Sequence, residues 1–277
     1  MPSGFLDSSV LIGLHFRHAG EKAACNACLA NVTQRETSRY AIFEIARGFL
    51  LSLINLHNKS FEHDTFSSLH QAAHSGQLMY QTYKMQTWMG AFDDFFARLE
   101  EADSAHKESQ KLMLLRSFLW QTVRRGWTAL LGGYGFHNDL GCHEQLPNPK
   151  LNEDGRIEHA LPTKDCGGPT QCGILNYVAA HRGPMDWLTI ELKNLPATAK
   201  KGDTDAKHVD GMMHLLDYAP DKAFDGKKCH RCGDLLICVE SPAGHIIATK
   251  NEKDFLPIAT ILGKQLTISK SAVDTLA

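Results

Sequence analysis

The sequence predicts an α/β fold with a central, mainly parallel sheet and a helical region inserted into it. Three stretches carry this expectation. F-L-D-S-S-V-L-I-G-L near the N-terminus reads as a short strand ending at Asp7 and running into a helix. G-D-L-L-I-C-V-E-S-P-A-G-H-I-I-A-T-K-N-E-K-D-F, residues 233–255, reads as a buried helix opening on Asp234, then an apolar strand from His245 to Thr249. A polar turn with Asn251, Glu252 and Asp254 follows, closed by Phe255. Between these ends, apolar residues recur at the helical period.

Taken in order, Phe5-Leu6 forms the first strand, and Ser8 or Ser9 is the expected N-cap of the helix carrying Val10, Leu11, Ile12 and Leu14. Asp before an apolar run often serves only as a cap, so Asp7 alone does not define a site. Residues 21–31 form a second helix, with Cys25 and Cys28 on one face among Ala23, Ala24, Ala27 and Leu29. That setting favours buried thiols over half a zinc site. A third helix starts near Ser38 in T-S-R-Y-A-I-F-E-I-A-R-G, and it holds Glu44 between Phe43 and Ile45. A carboxylate inside an apolar run is costly to bury unless a cation accompanies it, so Glu44 is placed for chemistry.

Residues 61–131 read as helices. Phe92, Phe95, Phe96 and Leu99 make one apolar stripe, and Leu112, Leu115 and Leu119 make another. His70 and His74 share a helical face, but H-Q-A-A-H lacks the Glu of a zinc protease motif. From Gly132 to Gly173 the chain turns to Gly, Pro, Asn, His and Cys. So long a loop needs a staple or is disordered. Cys229-His-Arg-Cys232 has knuckle spacing, and a structural zinc on Cys166, Cys172, Cys229 and Cys232 is the expected staple, with Cys142 as a substitute ligand. Residues 173–193 and 205–218 are further helices, and Q-L-T-I-S closes the chain as a strand.

The chain has 277 residues, 43% of them hydrophobic and 22% charged, with a net charge of −2. That composition is ordinary for a globular protein and announces no global basic field for nucleic acid. No run approaches the ~20 apolar residues of a membrane span, and the N-terminus has no basic leader, so a cytoplasmic location is expected. Eight cysteines there argue for thiols or metal ligands over disulfides.

The order of these pieces resembles the PIN-domain ribonucleases, a family that includes many bacterial toxin nucleases. The matching features are a strand ending in Asp7 before a Ser-Ser helix start, F-E-I-A-R-G around Glu44, Asp234 opening a late helix, and N-E-K-D-F after the last apolar strand. The likeness covers roughly residues 4–56 and 229–263. It implies a PIN-like three-layer α/β/α domain split between residues 1–58 and 200–277, with residues 59–199 inserted. It departs from the family in three places: the distance from Glu44 to Asp234 is much longer, the fourth acid is Glu252 where Asp is common, and Lys250 stands where Thr or Ser often precedes the Asn.

The resemblance implies a metal-dependent endoribonuclease. Asp7, Glu44 and Asp234 are the expected ligands of Mg²⁺ or Mn²⁺, because converging carboxylates repel unless a hard cation separates them. Glu252 is a fourth ligand or orients the attacking water. Ser8, Asn251, Lys250, Lys228 and Arg231 are the expected substrate contacts, with Lys227, His230, Lys253, Arg124 and Arg125 as further phosphate-facing charges. RNA is the expected partner, and an inhibitor or antitoxin-like protein and a homodimer fit the same picture. A catalytically weak, zinc-braced RNA-binding scaffold and a structure-specific DNA nuclease are the alternatives.

Overall fold

The computed structural model describes residues 2–75, 82–100, 106–142, 148–158, 172–195, 204–217 and 227–269. Within these, the side chains of residues 82, 83, 100, 204–206, 227 and 228 are not described. The N-terminal part comprises β1 (Ser3–Leu6), α1 (Ser8–Phe16), α2 (Ala19–Cys28), β2 (Gln34–Ser38), α3 (Arg39–Ile45) and α4 (Leu51–Lys59). The middle comprises α5 (Phe66–His74), α6 (Thr82–Glu100), α7 (Glu108–Gly132), β3 (Gly135–His137) and the two-stranded hairpin β4 (Lys150–Leu151) and β5 (Ile157–Glu158). There follow α8 (Gly173–Ala180), α9 (Arg182–Asn194), α10 (Thr204–Leu216), α11 (Lys227–Arg231), α12 (Gly233–Glu240), β6 (Ile246–Thr249), α13 (Glu252–Ile261) and β7 (Gln265–Ile268).

The main sheet has the order β3-β2-β1-β6-β7, and every pairing in it is parallel. Parallel strands are covered on both faces, so central ones read as unbroken apolar runs. G-F-L in β1 and I-I-A in β6 fit that rule: Phe5, Leu6, Ile247 and Ala248 are fully buried. β2 does not. Its Q-R-E-T-S is polar, and only Thr37 and Ser38 are buried. Backbone pairing to β1 and β3 on its two sides makes it a strand, which its side chains do not announce.

Local chemistry sets the helix starts. The N-cap of α1 is Asp7 itself, not Ser8 or Ser9, because its carboxylate accepts from both the Ser8 and Ser9 N–H groups. Ser38 caps α3 by accepting from the Tyr40 N–H. A single π turn, Ala46–Leu50, joins α3 to α4, so one helical path runs on from Arg39 to Lys59. Such turns are frequent near functional groups, and this one begins two residues after Glu44. The helix expected over 173–193 is broken into α8 and α9 at His181, whose backbone leaves the helical region.

The stretch 59–199 does not stand apart from the sheet. β3 lies inside it and pairs with β2. α7 packs on α1 and α4, and its Leu115, Leu119, Val123 and Leu130 join the same core as Leu11, Leu14, Leu53 and Leu56. At about 1.5–3 kcal/mol for each large apolar side chain buried, a shared core of this size ties α7 to the sheet. No helix among the described residues is long and apolar enough to cross a membrane.

Candidate active site

The strand order reverses at β1, with β2 and β3 to one side and β6 and β7 to the other. In open α/β sheets the crevice at such a point, beyond the carboxyl ends of the strands, is where ligands bind. Asp7 sits at that place. Its N–H extends the ladder by donating to the Ala248 carbonyl at 2.9 Å. Its Oδ1 accepts from the Ser8 N–H at 2.6 Å, and its Oδ2 accepts from the hydroxyls of Ser9 at 2.5 Å and Thr249 at 2.9 Å. The Lys250 N–H donates to the Ser9 Oγ, also at 2.9 Å. The end of β6 is therefore stitched to the start of α1 around one carboxylate, which is only 2% exposed.

Two further acids approach it. Glu44 comes from α3 and Asp234 from the first turn of α12, and α3 packs against α12. Gly233 makes the approach possible: a Cβ there would lie 2.0 Å from Glu44 Oε1. The Tyr40 hydroxyl donates to the Cys229 carbonyl at 2.9 Å, tying α3 to α11 just ahead of that glycine. The electrostatics follow from the crowding. Burial, then the Asp234 charge, raises Asp7 from an ordinary 3.8 to about 6 against the pull of its Ser9 and Thr249 hydrogen bonds. Glu44 is raised well above the usual carboxylate range by burial, then by Asp234 and Asp7; the Ser8 hydroxyl and Arg47 act the other way. Ser8 is thus engaged with Asp7 and Glu44.

Glu252 is exposed at the start of α13. Asn251 is the residue before α13; its N–H donates to Thr249 Oγ1 at 2.9 Å and its amide to Asp254 Oδ2. Lys250 forms an ion pair with Glu21, and Arg231 pairs with Asp210. Arg47 bonds His230 Nε2 at 2.8 Å. Arg124 and Arg125 are exposed on α7, and Lys253 is exposed on α13. The Lys228 side chain lies outside the described residues.

Of the expected zinc ligands, Cys166 lies outside the described residues. Cys172, Cys229 and Cys232 are buried, and so is Cys142. The backbones of Gly141 and Gly173 touch, which brings the neighbouring Cys142 and Cys172 together. Burial raises the Cys142 and Cys229 thiols to about 11, and Cys172 lies within electrostatic reach of both. Among the described residues no three His, Cys, Asp or Glu side chains stand close enough to hold a metal ion as placed.

One site residue was not anticipated. His208, on α10, is 2% exposed, and its Nε2 lies 3.4 Å from Asp234 Oδ2. No protein-family model, no curated protein and no solved structure matches this chain.

Proposed function

We propose that this chain is a metal-dependent endoribonuclease with a PIN-like, three-layer α/β/α core. The observation that carries the reading is the meeting of Asp7, Glu44 and Asp234, from three distant segments, at the carboxyl edge of β1 where the strand order turns. A fold gains nothing from burying two carboxylates beside a third whose charge raises both; a cation site does. All three offer oxygen, the donor type suited to Mg²⁺ or Mn²⁺. Such an ion, when bound, neutralises a phosphodiester oxygen and acidifies a water. The chain's own part is to hold the acids. The Ser9 and Thr249 hydroxyls orient Asp7, the missing side chain at Gly233 admits Glu44, and the Ser8 hydroxyl steadies the acids. As placed, the described side chains do not form a ready-made cation cage; Asp7, Glu44 and Asp234 are the residues that would hold the ion. Glu252 and Asn251, on the turn after β6, are proposed to orient water and substrate.

The purified chain, incubated with labelled RNA and with DNA of the same sequence, is expected to cleave RNA internally with Mn²⁺ or Mg²⁺ and not with EDTA. RNA binding without cleavage under any divalent cation counts against the nuclease. Preferential DNA cleavage moves the substrate class.

A zinc-braced RNA-binding scaffold is the second reading, favoured by the approach of Cys142, Cys172 and Cys229 from three separate segments. A tetrahedral thiolate site needs four such ligands, and among the described residues Cys232 would complete the set. Elemental analysis is expected to find about one zinc per chain, lost in Cys229→Ser. Protein purified without chelator and free of zinc rules the brace out.

A further inference from the structure

We propose that His208 is a positioning residue that holds the Asp234 carboxylate in place for the acidic pocket, an inference that rests on the nuclease reading. α10 packs against α12, the helix that presents Asp234. On α10, His208 falls on the stripe of Met212, Leu215 and Leu216, all buried. A leucine would fill such a position without desolvating a polar ring. The imidazole instead aims Nε2 at Asp234 Oδ2 from 3.4 Å. Its Nδ1 is buried and has no hydrogen-bond partner among the described residues. A buried N–H without an acceptor is rarer in folded proteins than a buried acceptor without a donor. With its proton on Nε2, the ring would face the carboxylate as a donor across 3.4 Å. That approach would hold one oxygen of Asp234 and leave the other for the acid pocket. Hydrogen bonds of this kind to a ligating side chain set its orientation, and their loss typically costs 10–100-fold in metal affinity or activity.

The test uses the full chain and Mn²⁺ alone as the binding probe, followed by calorimetry, with RNA cleavage measured on the same preparations. His208→Leu keeps the packing and removes the donor. It is expected to weaken Mn²⁺ binding about tenfold and to lower kcat by a similar factor with little change in KM. His208→Gln places an amide N–H near the original Nε2 and is expected to recover most of both. His208→Asn, whose amide is too short to reach, is not; this pair makes the comparison even if leucine disturbs α10. Mn²⁺ affinity and kcat unchanged in His208→Leu, or lost equally in the Gln and Asn variants, overturn the proposal. Asp234→Asn separates the two levels of inference. If that variant loses Mn²⁺ while His208→Leu retains it, the histidine role fails and the nuclease reading stands. If Asp234→Asn binds Mn²⁺ as the parent does, both fail together.

Discussion

Asp7→Asn and Asp234→Asn are each expected to lower cation-dependent RNA cleavage by about 10²–10³-fold, since a lost metal ligand forfeits several kcal/mol of transition-state charge stabilisation. Asp7→Asn is expected at the same time to make the cation-free protein more stable at pH 7.5. The sign follows from the direction of the shift. Asp7 is raised from 3.8 to about 6, so the folded state favours the protonated acid. Its favourable contribution is complete below the ordinary carboxylate range and is lost as pH rises through about 6. Above that, the ionised carboxylate opposes folding by about 3 kcal/mol at most. Asparagine removes that opposition and, at the head of α1, still caps. It gives up one charge-assisted hydrogen bond, about 1.5 kcal/mol or more. The net gain is at most about 1.5 kcal/mol, a few degrees in Tm for a chain of this size. Glu44→Gln is expected to act in the same direction, since Glu44 is raised still further.

Divalent cation reverses the order. Saturating Mn²⁺ stabilises only a protein that binds it, by about 2.7 kcal/mol at a hundred times Kd. The parent therefore overtakes Asp7→Asn in Tm when Mn²⁺ is added above pH 7, and EDTA restores the first ranking. At pH 4.5 the two proteins are expected to melt close together, with or without cation. Differential scanning fluorimetry across that pH range checks all of it. A parent already more stable than Asp7→Asn at pH 7.5 in EDTA means that Asp7 is a cap and nothing more.

What the sequence disclosed and what it hid follow from where each signal lives. Asp7, Glu44 and Asp234 stood out because each interrupts or borders an apolar run, and burial of a charge is legible when its neighbours are apolar. β1 and β6 announced themselves in the same way. β2 was hidden because Q-R-E-T-S has neither alternation nor a β-branched run; its pairing is written in the backbone. β3 was hidden in a glycine-rich stretch that reads as a turn. His208 shows a different failure. On α10 the exposed acid Asp210 pairs with Arg231. His208 repeats with Met212, Leu215 and Leu216 at helical spacing, a stripe that marks its burial in advance. What it touches depended on α12 arriving from elsewhere in the chain. Glu252 was assigned through a motif, which gives an order of residues; its side chain is exposed at the start of α13.

Glu240→Ala is expected to be the most destabilising single substitution outside the apolar core, at about 3–5 kcal/mol. Glu240 ends α12 and is 4% exposed. Its Oε2 accepts from the Ser38 hydroxyl and its Oε1 from the Leu140 N–H at 3.1 Å, and the Asp139 N–H also donates to it. Ser38 in turn accepts from the Tyr40 N–H at 2.9 Å to start α3. One side chain therefore joins the end of β2, the end of α12 and the turn after β3. Burial raises its carboxyl, and these donors hold it down against that pressure. Alanine leaves the buried Leu140 N–H and the Ser38 hydroxyl without this acceptor, each worth about 1–3 kcal/mol, and opens a cavity as well. Glutamine keeps one acceptor oxygen for the N–H groups and offers its amide to Ser38, whose hydroxyl can turn to receive it. Glu240→Gln is therefore expected to cost only about 1 kcal/mol. Urea denaturation of the two variants decides the point, and equal losses in both would mean that Glu240 fills space without joining the three segments. Since a domain's whole stability is about 5–15 kcal/mol, the alanine variant is also expected to bring down the acid cluster. Both Ser38, which starts the helix of Glu44, and α12, which begins beside Asp234, lose their common anchor with it.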